Sequence, residues 1–200
     1  MSRKGVTMKR IRALQISYYI NIFAAIALIL ILMLFYGSKI QNIFLLADIM
    51  LGIFSIIAIF LFGILCISNA VVLYRRGDLA TLRQYMKVAK RGLIPFFIIN
   101  FIYCAFLNMI LFVASRGIFI IGPIPIMIII MVSFTYLAVL FSSSYSIAFI
   151  IQLKKKDKLS QGVAFLNICL QLIFVLDIIE LIYLLRRFRK ENDVFIETYS

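Results

Sequence analysis

Residues 43–78 read IFLLADIMLGIFSIIAIFLFGILCISNAVVLYRRGD. The 32 residues from Ile43 to Tyr74 hold one charge, Asp48, before Arg75-Arg76-Gly77-Asp78 closes the run. About 20 apolar residues cross a ~30 Å hydrocarbon core as a helix, so this stretch spans with length to spare and must tilt or project. Four comparable runs flank it: Ala13–Tyr36, Leu93–Ser115, Pro123–Leu153 and Val163–Leu185. The first three of these carry no charge at all. The expected fold is therefore an all-α polytopic helical membrane bundle of four spans plus a fifth. It forms one integral membrane domain over residues 1–200.

Composition agrees with that reading. The chain is 64 % hydrophobic and 14 % charged, with a mean hydropathy of +1.10. In water such a chain would expose large apolar patches, and the bilayer removes that problem. The net charge of +13 comes from Lys and Arg at the ends of apolar runs rather than along a soluble face. That placement points to anionic lipid headgroups, not nucleic acid. Ala25-Ile26-Ala27 has the A-x-A form of a signal cleavage site, but apolar residues continue to Phe35. The first segment is read as a retained span.

Charge bias sets the expected orientation. Arg3, Lys4, Lys9, Arg10 and Arg12 precede the first span, six basic residues lie at 75–91, and Lys154, Lys155, Lys156 and Lys158 follow the fourth. Those fifteen basic residues face two, Lys39 and Arg116, in the opposite connections. The positive-inside rule puts the N-terminus and the basic loops in the cytoplasm, with the plasma membrane as the expected location. The fifth segment conflicts with the rule. Nineteen of its 23 residues are apolar and surround the whole helix, which favours crossing. Crossing leaves Arg186, Arg187, Arg189 and Lys190 outside.

Within 76–91, Asp78 is suited to capping a helix start, and Leu79, Leu82, Met86 and Ala89 recur at helical spacing. This predicts a short amphipathic cytoplasmic connecting helix in the headgroup layer, with Arg75, Arg76, Arg83, Lys87, Lys90 and Arg91 as lipid-headgroup candidates. A shift of 79 residues lays Arg12 on Arg91, Tyr18 on Phe97, Asn21 on Asn100 and Arg75-Arg76-Gly77-Asp78 on Lys154-Lys155-Lys156-Asp157. Such a match is a parallel repeat of the in-out-in kind, although any two apolar hairpins with basic inner loops look alike.

The chemistry of the chain is sparse. It has no His, which removes the commonest general base and metal ligand. Cys66, Cys104 and Cys169 sit singly in apolar runs, so neither a metal site nor a disulfide framework is legible. No phosphate-binding loop, zinc-protease helix or nucleophile elbow is present, and no enzyme activity or cofactor is expected. The candidate site is an intramembrane polar seam of Asn167, Gln171, Asp177 and Glu180 in the fifth segment. The hydroxyls Ser133, Thr135, Ser142, Ser143, Ser144 and Ser146 of the fourth span suit close helix packing, and Asn100 and Asn108 of the third suit bridging to them. Three functions fit. The first is a non-enzymatic accessory or scaffold subunit beside a membrane-protein partner. The second is a small transporter or channel using Asp177 and Glu180. The third is a permease-like subunit docking an ATPase through Leu79–Lys90.

Overall fold

The computed structural model describes residues 3–38, 40–115, 124–156 and 159–171. Every regular element among them is helical: α1 Arg3–Leu34, α2 Gln41–Arg76, α3 Leu79–Ala114, α4 Ile124–Lys155 and α5 Gln161–Gln171. Four stretches, Val6–Leu34, Gln41–Arg76, Leu79–Ala114 and Pro125–Lys155, are long and apolar enough to span a bilayer. The protein is a multi-pass membrane protein with an all-helical fold. At 1.5 Å per residue α2 and α3 are each about 54 Å long, well beyond the ~30 Å core.

At the start of α2, the Gln41 N–H donates to Ser38 Oγ (3.2 Å), and the Gly37 N–H donates to Gln41 Oε1 (2.9 Å). This is the reciprocal logic of a capping box, with the return bond falling one residue earlier. Gly37 has φ +77° and Gly77 has φ +70°, both in the left-handed region. Gly77 ends α2, and Asp78 Oδ1 then accepts the Thr81 N–H at 3.0 Å, capping α3.

Here the structure departs from the expected short connecting helix. Residues 79–91 are not a separate element but the first turns of α3, which runs without a break through Pro95 into the third span. Pro95 has no N–H to donate to the Arg91 carbonyl, a loss that membrane helices tolerate. The apolar stripe of the segment does not lie on lipid either. Leu82 and Met86 are 0 % exposed and Ala89 is 4 %, so the stripe packs inside protein.

The chain forms two compact units: Met1–Cys66 with Arg91–Ala138, and Ile67–Lys90 with Val139–Ser200. In the first, Tyr18 of α1 is fully buried, its ring 4.9 Å from Phe96 and 5.9 Å from Phe134. Tyr19 Oη donates to the Gly92 carbonyl of α3 (2.8 Å), and the Gln15 side chain occupies the space a Cβ on Gly92 would need. Glycine is what permits this close α1–α3 approach. Farther along the same two helices, Ile26, Leu30 and Met33 face Ile99, Ile102 and Phe106 across an apolar groove of about 360 Å³.

Two hydrogen bonds in this unit repeat one another. Asn21 Nδ2 of α1 donates to Ser55 Oγ of α2 (2.9 Å), and Ser55 Oγ donates to the Gly52 carbonyl (2.7 Å). Asn100 Nδ2 of α3 donates to Thr135 Oγ1 of α4 (2.8 Å), and Thr135 Oγ1 donates to the Met131 carbonyl (2.9 Å). Each hairpin is thus fastened by an asparagine amide on a hydroxyl that bonds back to its own helix. The asparagines are the pair the 79-residue shift superimposes, and the hydroxyls fall 80 apart. The same shift carries Arg76, the end of α2, onto Lys155, the end of α4. Asn108 donates instead to the Cys104 carbonyl of its own helix (2.7 Å).

Candidate polar site in the second unit

The second unit is built from the end of α2, the first turns of α3, the second half of α4, and α5. Its apolar core includes Leu82, Tyr85, Met86, Tyr145, Ile150 and Leu153, all 2 % exposed or less. The Tyr85 and Tyr145 rings meet edge to face at 5.7 Å, and Asn69 Nδ2 donates to Tyr145 Oη at 3.3 Å. Within this core lies an unusual density of polar side chains. Lys90, Ser142, Ser143, Ser146, Gln152, Asn167 and Gln171 are each 5 % exposed or less.

Gln171 is the hub. The Lys90 ammonium of α3 donates to its Oε1, and Ser143 Oγ of α4 donates to its main-chain carbonyl at 3.2 Å. The ammonium dictates how the amide is turned, because only its oxygen can face a cation, which leaves Nε2 pointing elsewhere. Nε2 is buried and has no hydrogen-bond partner among the described residues, and the same is true of Asn167 Nδ2 and Ser146 Oγ. Asn167 precedes Gln171 by one turn of α5, and Ser146 follows Ser143 by one turn of α4. The Ser143–Gln171 contact joins α4 and α5 in this unit. Gln152 Oε1 is also unpartnered but stands farther along α4, where its amide end faces Gly77.

Asn167 and Gln171, two members of the expected seam, are both buried. Asp177 and Glu180, its other two members, lie outside the described residues, as do Arg186–Lys190 and the rest of the fifth segment. Lys90 is corrected from a headgroup contact to a buried member of the seam. It follows Met86 by four positions, about 40° round the helix, so it belongs to the edge of the buried stripe rather than to the opposite face. The other headgroup candidates keep access: Arg75, Arg76, Lys87 and Arg91 are exposed and Arg83 is half-buried. Among the fourth-span hydroxyls, Ser142 donates to the Val139 carbonyl and Ser144 to the Phe141 carbonyl, both at 2.9 Å. Ser143 reaches across to α5 instead. Its signal in the sequence was position alone, one hydroxyl in a run of three.

No curated protein and no solved structure matches the chain. Residues 9–190 match a family of unknown function (DUF6652), and with nearly the whole length covered the chain belongs to that family.

Proposed function

We propose that this chain is a non-enzymatic membrane protein that binds and moves a small polar or ionic solute, with the cluster around Lys90 and Gln171 as its working part. One observation carries the reading. A lysine ammonium 3 % exposed donates to a buried amide oxygen, and in the same unit Gln171 Nε2, Asn167 Nδ2 and Ser146 Oγ are buried without a hydrogen-bond partner among the described residues. Burying an ion costs several kcal/mol after relaxation, and each unmade buried hydrogen bond about 1–3 kcal/mol. Ionisable side chains buried within membrane-spanning segments are rare and mark substrate and ion pathways. A seam that served packing alone would be expected to satisfy its own donors.

The bias of fifteen basic residues against two supports a plasma-membrane protein with its N-terminus and the Lys90 end of α3 in the cytoplasm. Arg75, Arg76, Lys87 and Arg91 then meet anionic headgroups, at about 1 kcal/mol each. Docking of an ATPase through Leu79–Lys90 would use the exposed face at Ala80, Gln84 and Lys87, since Leu82, Met86 and Ala89 are buried. The accessory-subunit reading retains a specific observation. Exposed Ile43, Leu46, Met50, Phe54, Ile57, Leu61 and Ile64 recur along α2 at steps of three and four, the spacing of a helix-pairing seam.

Reconstitution of the full chain into proteoliposomes tests the proposal. Flux of a small ion or polar solute above that of empty vesicles, lowered tenfold or more by Lys90→Met, is expected. Absence of flux for every anion and cation tried, with a second membrane protein co-purifying in fixed ratio, transfers the assignment to the accessory subunit.

A further inference from the structure

We infer that the apolar groove between α1 and α3 holds one hydrocarbon chain of a membrane phospholipid; this is independent of the Lys90 cluster. The groove belongs to two parallel helices that touch and then part. Their contacts advance in step, from Tyr19 on Gly92 to Leu30 and Met33 facing Ile102 and Phe106, so α1 and α3 run the same way. At Gly92 the α3 backbone is drawn against Gln15 and Tyr19. Ile99 and Phe106 lie about 10 and 21 Å farther along α3, where the walls leave about 360 Å³ open.

Position and chemistry select the occupant. Four side chains come from each helix, and among the eight only Tyr103 carries an oxygen. All eight lie in the uncharged runs Ala13–Tyr36 and Leu93–Ser115, within stretches long and apolar enough to span a bilayer. An ion or polar solute there would lose its hydration and find a single hydroxyl in exchange. Leu30, Met33, Ile102 and Phe106 are each 50 % exposed or more, so the groove opens to what surrounds the helices, which across a span is lipid.

Size decides between a chain and a helix. The lining extends seven residues along each helix, about 10 Å. A helix about 10 Å across needs roughly 800 Å³ over that length, so a partner helix can cover the groove but not enter it. A volume of about 360 Å³ matches the small end of small-molecule sites, which begin at ~300 Å³. No hydrophobic driving force separates lipid from apolar protein, so what holds a chain here is dispersion contact on two walls. Met33, unbranched and polarisable, lets one wall follow the chain.

The test uses the absence of Trp from the chain, which makes one introduced Trp the sole such fluorophore. Phe106→Trp puts it in the groove, and Ala105→Trp puts it one residue away, at an exposed position outside the lining. Each full-length protein is reconstituted into phosphatidylcholine vesicles in which a rising fraction of the lipid carries dibrominated chains, which quench Trp on contact. One chain in the groove gives Phe106→Trp quenching in direct proportion to the brominated fraction. Ala105→Trp, touched by several chains, is quenched more steeply. Filling the groove with Leu30→Phe lowers the quenching of Phe106→Trp by about twofold or more and leaves that of Ala105→Trp unchanged. Both results are required. A Phe106→Trp curve as steep as that of Ala105→Trp, or one insensitive to Leu30→Phe, reduces the groove to ordinary lipid-facing surface and overturns the inference. An unquenched Phe106→Trp overturns it in favour of protein as the cover, either a second copy or residues 172–200.

Discussion

If the two asparagine clasps do the same job, the cost of cutting each should follow from its surroundings. Thr135→Val and Ser55→Ala remove the acceptors, while Asn100→Ala and Asn21→Ala remove the donors. Both hydroxyls bond back to their own helix, so losing the asparagine strands no buried hydroxyl hydrogen. The coupling measured by a double-mutant cycle is then the interhelical bond alone. Such bonds average about 0.6 kcal/mol in membrane proteins and reach about 1.7 kcal/mol. Asn100 is 7 % exposed and Asn21 only half-buried, so the Asn100–Thr135 cycle should fall in the upper part of that range and the Asn21–Ser55 cycle near the average. The single Asn100→Ala change should cost more than its coupling, by an added cavity contribution of about 1 kcal/mol. Unfolding titrations in mixed micelles give all seven stabilities. A coupling below ~0.2 kcal/mol in both cycles would refute the clasps as fastenings, and a clear coupling in one alone would refute their equivalence.

Gly77→Ala should destabilise by about 1–2 kcal/mol because φ is +70°, and more if the Gln152 amide, 3.0 Å from the new Cβ, does not yield; equal midpoints for both proteins would contradict this. Gly92→Leu should disrupt the α1–α3 contact where Gln15 fills the glycine's space, lowering yield of folded protein far more than Gly52→Leu, whose Cβ meets open space. Single cysteines at Ser38 should react with an impermeant maleimide from outside intact cells, while those at Lys87 and Lys156 should not; labelling at Lys87 would reverse the orientation. A C-terminal tag should be accessible from outside if the fifth segment crosses, and an internal tag would make that segment re-entrant or peripheral.

Much of this fold was legible because the bilayer reduces the problem to length and charge. Four uncharged or nearly uncharged runs give four long helices, and Asp78 announces the start of the third. What period and charge could not fix was where α3 begins relative to lipid. The amphipathic stripe at Leu82, Met86 and Ala89 looks the same whether its partner is a headgroup layer or other helices of the protein. Pro95 suggests a boundary near Leu93, yet the helix continues across it, since a single missing N–H is a weak break. The repeat shows the opposite case. Apolar letters matched too easily to mean much, but two Asn-to-hydroxyl bonds at matching places are a chemical coincidence that apolar patterning alone does not produce.

Lys90 illustrates why the site was harder to read than the fold. By charge it belonged with Arg75, Arg76, Arg83, Lys87 and Arg91, and nothing in its neighbours marks it out. The angular position does: it follows the apolar Met86 by one turn, about 40° away, whereas Lys87 lies about 100° from Met86. A long basic side chain at the edge of a buried stripe either snorkels outward or turns inward, and the choice depends on what the facing helix offers. Here it turns inward, and its ammonium donates to Gln171 of α5, 81 residues distant. Asn167 and Gln171 were visible as a pair because polar residues four apart in an apolar run are conspicuous. Their cation was not, because one helix's pattern cannot name its partner on another. The contact of Lys90, Ser143 and Gln171 is thus a product of tertiary structure, made between three helices.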